Sequence, residues 1–282
     1  MILTPIDLQP GNKKYKRDPE KDNFTFIQFD SECKLVNRIS FKPEIIGWKI
    51  DEAVVTYSGN DLSFYIYGPA HLGKEGKYWN QCYQSGKYKA VQVMKVSKGK
   101  IDYLTSTDLE EFEAKKKMPP GQKKGAEYSG KKFKRASFEI ADNGEYFIMG
   151  QHINKTDGPI FGDLICFHFD NQDKLKAHYT SETAGEAKYS YAIDQAMKQL
   201  GNNMFWICLE SIEQNKIFPS VCKIDVENAE IGNFVRPGNN GKKQIYFLNA
   251  SFPYLDIQDD QTVFFGNDEK GKTIWFCRLK YE

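Results

Sequence analysis

Three sets of residues in this 282-residue chain are of types that could do chemistry. The first is a set of carboxylates, Asp51, Glu139, Asp194 and Asp256, each lying in or beside a stretch of alternating apolar and polar residues. A carboxylic acid held protonated and a second carboxyl group kept ionised are what cleavage of a glycosidic bond requires. Alternation could equally aim each of the four at solvent as a strand charge. The second set is the histidines, His71, His152, His168 and His178, which show no H-x-H or H-E-x-x-H metal spacing. His168 fills the polar position of an apolar–polar–apolar register held elsewhere by Gln28, Lys95, Lys223 and Arg278, so it reads as a strand-face residue rather than a ligand. The third is the aromatic group Tyr78, Trp79 and Tyr83, close to His71 in PAHLGKEGKYWNQCYQSGK. Exposed aromatics beside hydrogen-bonding groups suit stacking on a sugar or packing against a peptide, although Trp79 could instead pin the segment to its own scaffold. His152 and Lys155, in a second long connection, complete the candidate ligand-binding set.

The elements that must position these residues are short strands. In Arg135–Tyr179 the alternation of Ala136–Ala141 is followed by an Asp142–Asn143–Gly144 turn and the apolar run Tyr146–Met149. Leu164–Phe169, a turn at Asn171–Gln172–Asp173 and Leu175–Tyr179 follow. This succession predicts an antiparallel four-stranded meander. The third-strand register returns at Ile27–Asp30, Met94–Ser97, Phe167–Asp170, Cys222–Asp225 and Cys277–Lys280, about 55 residues apart in the C-terminal half, and four copies have a matching hairpin upstream. A four-stranded period of that length fits a propeller blade.

The predicted fold class is therefore all-β: a β-propeller of four-stranded antiparallel blades over residues 1–282. Five blades are favoured, with units near 1–45, 46–110, 131–180, 189–236 and 248–282 and an irregular or incomplete first one. Phe138–Asp170 (FEIADNGEYFIMG…GDLICFHFD) and, less closely, Tyr254–Leu279 resemble the WD40-like Asp-Gly repeat of the TolB-type propeller family. In this chain Asn143 separates Asp142 from Gly144, and the last copy lacks the glycine. The resemblance implies a propeller; propellers host enzymes, scaffolds and lectins alike.

Connections on one side of the predicted blades are short, whereas Pro69–Lys87, Gln151–Gly162, Ser106–Lys132 and Pro237–Leu248 are long and would all emerge on the other. Long loops on a rigid scaffold mark a working face. Within Ser106–Lys132 the lysines flank MPPGQKKG, a composition expected to stay solvated, and Asp108–Lys117 is the single helical candidate.

Lys and Arg number 39 against 38 Asp and Glu, a net charge of +1, which gives no global field for nucleic acid or an anionic membrane. No apolar stretch is long enough for membrane insertion as a helix. The sequence has no zinc spacing, nucleophile elbow or phosphate loop, so no metal or cofactor is implied. Cys166, Cys208, Cys222 and Cys277 lie in apolar runs as small hydrophobes, consistent with a reducing compartment. The N-terminus has no charged-then-apolar leader pattern, so the chain as given is expected in the cytoplasm, or in the periplasm or outside the cell if a leader has been removed. The loops supply Lys and Gly rather than convergent acids and bases. The expectation is thus a non-catalytic binding or scaffold propeller that holds a protein, peptide or glycan on its long-loop face. The alternative is a propeller glycoside hydrolase using axial carboxylates.

Overall fold

A computed structural model describes residues 2–5, 22, 24–45, 47–58, 61–71, 88–155, 159–183, 192–212, 216–236, 246–248, 254–258, 260–268 and 271–281. These residues are all-β in class, with one short helix among them, α1 (Leu109–Ala114). No described helix is long and apolar enough to cross a membrane. The chain divides into two compact units, Met1–Ala114 with Tyr128–Lys131, and Lys115–Glu127 with Lys132–Glu282.

The first unit holds two antiparallel sheets. β1 (Ile2–Pro5), β2 (Phe24–Phe29) and β3 (Leu35–Phe41) pair in that order. In the second sheet β4 (Gly47–Trp48) and β5 (Glu52–Ser58) both pair with β6 (Asp61–His71), followed by β7 (Ala90–Ser97) and β8 (Lys100–Asp108). Alternate residues of the sheets meet in one core, Phe24, Phe26 and Phe41 against Trp48, Phe64, Ile66 and Met94. Burying each such side chain contributes about 1.5–3 kcal/mol. Gln92 anchors the approach to the second sheet: Ile45 N–H donates to its Oε1 at 2.7 Å, and its Nε2 donates to Ile45 O at 2.9 Å.

In the second unit, β10 (Phe133–Ile140), β11 (Tyr146–Lys155), β12 (Pro159–Phe169) and β13 (Leu175–Ser181) form the predicted meander, and β9 (Lys116–Lys117) adds to β13 in parallel. The next sheet is β14 (Gln195–Leu200), β15 (Asn203–Ile212), β16 (Lys216–Asp225) and β17 (Glu230–Ile231). In the last, β18 (Tyr246–Leu248) and β19 (Tyr254–Gln258) both pair with β20 (Gln261–Asp268), which pairs with β21 (Ile274–Lys280). Alternation along β15 serves two cores. Met204, Trp206 and Cys208 pack with Phe147, Met149, Leu164, Cys166 and Tyr179 of the meander, while Phe205, Ile207 and Leu209 pack with Phe264 and Tyr281. Glutamines clasp the first of these contacts. Gln151 accepts from Ile193 N–H at 2.5 Å and donates to Gly162 O at 3.0 Å, and Gln195 donates to Gly150 O at 3.0 Å and accepts from Trp206 Nε1 at 3.1 Å. Cys166, Cys208 and Cys222 are free and buried, and Cys277 is half-buried.

Two expectations change. Strands run past the glycines that suggested their ends, so much of Gln151–Gly162 is hairpin, with Ile153 opposite Phe161 and Lys155 opposite Pro159. At Gly150 a Cβ would lie 2.2 Å from Lys134 O, and at Gly68 2.0 Å from Lys49 O; glycine here permits close backbone approach inside a strand. The solvated loop expected at Ser106–Lys132 is instead packed. Phe112 of α1 is buried against Tyr128, ring centroids 5.2 Å apart, Lys116–Lys117 extend a sheet, and Ala126 N–H donates to Thr180 Oγ1 at 2.9 Å. One buried aromatic and a strand register outweigh the polar composition of that segment.

Candidate functional site

The meander has two unlike ends. At the end remote from its tight turns, β11 leaves the sheet, β12 enters and β13 leaves. Leu164 pairs with Ser181, the last residue of β13; Asp163 and Glu182 are the residues next to that pair, and the Glu182 charge bears on the Asp163 carboxyl. Leu164, Cys166 and Tyr179 face the core shared with β15, and alternation turns Asp163, Glu182 and His152 to the other face. His152 sits at the bulge between Gln151 and Ile153, with Gly162 beside its ring; a Cβ at Gly162 would make an ordinary contact with Nδ1 at 3.7 Å. Gln122 closes the edge, donating to Ser181 Oγ at 3.2 Å and accepting from Glu182 N–H at 3.3 Å.

Electrostatics separate the roles. Burial, and then the Glu182 charge, push the half-buried Asp163 carboxyl above the usual aspartate range; the nearby Ala126 N–H pulls it partly back. Burial, and then the Lys132 charge, hold His152 below the ordinary histidine value, so its ring is neutral near pH 7. A carboxyl raised by burial beside a second, exposed carboxyl group is an arrangement in which one member can serve as general acid. A neutral imidazole can donate and accept hydrogen bonds to hydroxyl groups.

At the tight-turn end the same residue types form a closed network. His168 Nε2 lies 2.6 Å from Glu145 Oε2, its Nδ1 lies 3.1 Å from Tyr179 Oη, and its ring stacks on Phe147 at 4.2 Å. Lys176 Nζ donates to both Glu145 oxygens at 3.0 Å and to Val226 O at 2.7 Å. Burial lowers His168 to about 4 against the pull of Glu145. His168 is completely buried, and the network is filled by its own members.

Among the sequence candidates, His152 alone joins the Asp163–Glu182 end with its side chain described; Lys155 is in β11, with its side chain outside the described residues. Glu139, half-buried and raised by burial against a hydrogen bond from Ser137, is one residue from the end of β10, at the tight-turn end. Asp194 is exposed ahead of β14, and Asp51 lies 2.5 Å from Lys49 Nζ in the first unit. Asp256 is in β19, its side chain not described. His71 is buried against Tyr88, ring centroids 4.8 Å apart. Tyr78, Trp79 and Tyr83 lie outside the described residues. Asp163 and Glu182 were not among the sequence candidates, which lie on or near the innermost strands; no motif or spacing in the sequence joins the two, and the β12–β13 hairpin brings them together. Among the described residues no group of three or more His, Cys, Asp or Glu is placed to hold a metal ion.

No family model matches the chain, and no curated protein matches it. Among solved structures it is similar to an exo-β-1,3-galactanase from Clostridium thermocellum, with TM-score 0.31, 8% identity, and 92% of this chain and 56% of that one covered. An α-L-arabinofuranosidase from Podospora anserina, solved with cellotriose, gives TM-score 0.29, 9% identity and coverages of 83% and 64%. One from Lactobacillus brevis gives TM-score 0.32, 10% identity and coverages of 88% and 79%. The chain thus spans less than two thirds of the first two enzymes' length, and these names describe those proteins. The expected non-catalytic binding or scaffold module is corrected here. It rested on loops with lysine and glycine but no convergent titratable side chains, whereas Asp163, Glu182 and His152 come together at this end of the sheet.

Proposed function

We propose that the chain is a β-propeller glycoside hydrolase, its sheets serving as blades, with Asp163 as proton donor and Glu182 as the ionised partner. The observation that carries the chemistry is the half-buried Asp163 carboxyl, raised by burial and by the charge of Glu182 beside the last β12–β13 pair. The blade arrangement is supported by consecutive antiparallel sheets sharing cores face to face within each unit. The Asp142–Gly144 turn is the blade turn that the Asp-Gly resemblance implies.

Carboxyl groups on neighbouring strand ends suit the ~5–5.5 Å separation of retaining hydrolases better than the ~6.5–9.5 Å of inverting ones, so the reaction favoured is retention, with Glu182 as nucleophile. Asp163 protonates the glycosidic oxygen as Glu182 attacks the anomeric carbon, then takes a proton from the water that cleaves the glycosyl ester.

The test is a panel of aryl glycosides and polysaccharides, with products followed by NMR. Hydrolysis with retained anomeric configuration, lost in both Asp163→Asn and Glu182→Gln, is the expected result. Failure of the wild-type protein to cleave any member, or full rates in both variants, overturns the assignment.

A further inference from the structure

We propose that the glycan taken by this site is anionic, and that Lys132 recognises its acidic group; the substrate class rests on the hydrolase reading above. Lys132 immediately precedes β10 and is joined to the site by its carbonyl, which accepts from Ile153 N–H at 2.7 Å, one residue beyond His152. Its backbone is left-handed, φ 60°. For a residue with a Cβ that conformation costs about 1–2 kcal/mol, which glycine would avoid. A long cationic side chain is nevertheless held there, exposed, at the edge of a carboxyl pair. Outliers of this kind gather at ligand sites.

A second segment brings more positive charge to the same end. Gln122 bonds both Ser181 and Glu182, which sets the exposed Lys123 and Lys124 beside the last residues of β13. No ion pair holds any of these three lysines among the described residues. With a net charge of only +1 for the whole chain, this grouping is local. A neutral glycan has no use for it, whereas a sugar acid approaching Asp163 and Glu182 would meet negative charge that the ammonium groups offset. Carboxylate and sulfate esters share this chemistry.

The experiment uses the full chain carrying Asp163→Asn, so that bound polymer is not consumed. Calorimetric titration is run with polygalacturonate and with dextran sulfate, each beside its neutral twin, carboxyl-reduced polygalacturonate and dextran. The expected result is binding of one anionic polymer and not its twin, weakened about tenfold by Lys132→Gly. Lys132→Gly should melt no lower than its parent, since glycine relieves φ 60°. Lys174→Ala, at the opposite end of the sheet, should bind as the parent does. Which anionic polymer binds tells carboxylate from sulfate. Equal binding of the neutral twins, or equal weakening by Lys132→Gly and Lys174→Ala, overturns the inference. Separately, if the wild-type chain cleaves only neutral glycans the inference fails while the hydrolase stands; if anionic polymer binds through Lys132 and nothing is cleaved, the hydrolase fails while the recognition stands.

Discussion

Each end of the β10–β13 sheet carries carboxylate, histidine and lysine, and the two ends do opposite things with them. At the tight-turn end Glu145, His168, Lys176 and Tyr179 satisfy one another inside the core, leaving no group for a substrate. At the far end Asp163 shares its face with Glu182 and His152, half-buried, its carboxyl raised by burial and like charge with one backbone N–H, that of Ala126, opposing the shift. Residue type therefore does not tell a structural network from a reactive one; closure of the hydrogen bonds does.

The largest effect expected from this contrast is on rate. Asp163→Asn should lower glycan hydrolysis by about 10²–10⁴-fold with the melting temperature within a few degrees of the parent, checked by kinetics and calorimetry on one preparation. Loss of stability in place of rate would make the open end a second structural network. Glu145→Ala should do the reverse. With the buried His168 and the partly buried Lys176 left without their carboxylate, stability should fall by about 3 kcal/mol, on the order of 10 °C in melting temperature, while the rate per folded molecule is kept.

The closed end also sets a pH dependence. His168 is about 4 in the fold against an ordinary value of 6.5, so the unfolded chain takes up the proton first. Its stabilising contribution is complete above pH 6.5 and is lost as pH falls towards 4, on the order of 3 kcal/mol over that window. His168→Phe, which keeps a flat ring against Phe147, should flatten the slope in urea melts across that range; an unchanged slope would move the titration elsewhere. The smallest effect is at Glu139, whose raised carboxyl weakens the fold once ionised. Glu139→Gln should raise the melting temperature slightly at pH 7, and the gain should vanish as pH falls below the ordinary glutamate value of 4.5.

Strand identity was legible in the sequence because alternation and the Asp142–Gly144 and Asn171–Asp173 turns agree with one another. Strand length was not. Gly150 looks like a stop, whereas it lies inside β11 and lets Lys134 O approach. His152 was legible as a candidate from its place beyond β11's apolar run. Asp163 and Glu182 were not, since eighteen intervening residues hide a pair that only the folded hairpin brings together. The segment after β8 misled by composition: its lysines outnumber its anchors, yet Phe112 is enough to seat it.

Because Gln151 and Gln195 each grip the backbone of the neighbouring sheet with a side chain rooted in their own, the β10–β13 and β14–β17 sheets cannot peel apart singly. Separating them strands the Ile193 amide and the Gly150 carbonyl at once, so local breathing there is suppressed. The amides of β11 and β15 should then exchange with solvent in a single cooperative event. The open site is thereby carried on a hinge-free foundation, and substrate must be accommodated by the strand ends rather than by movement between these sheets.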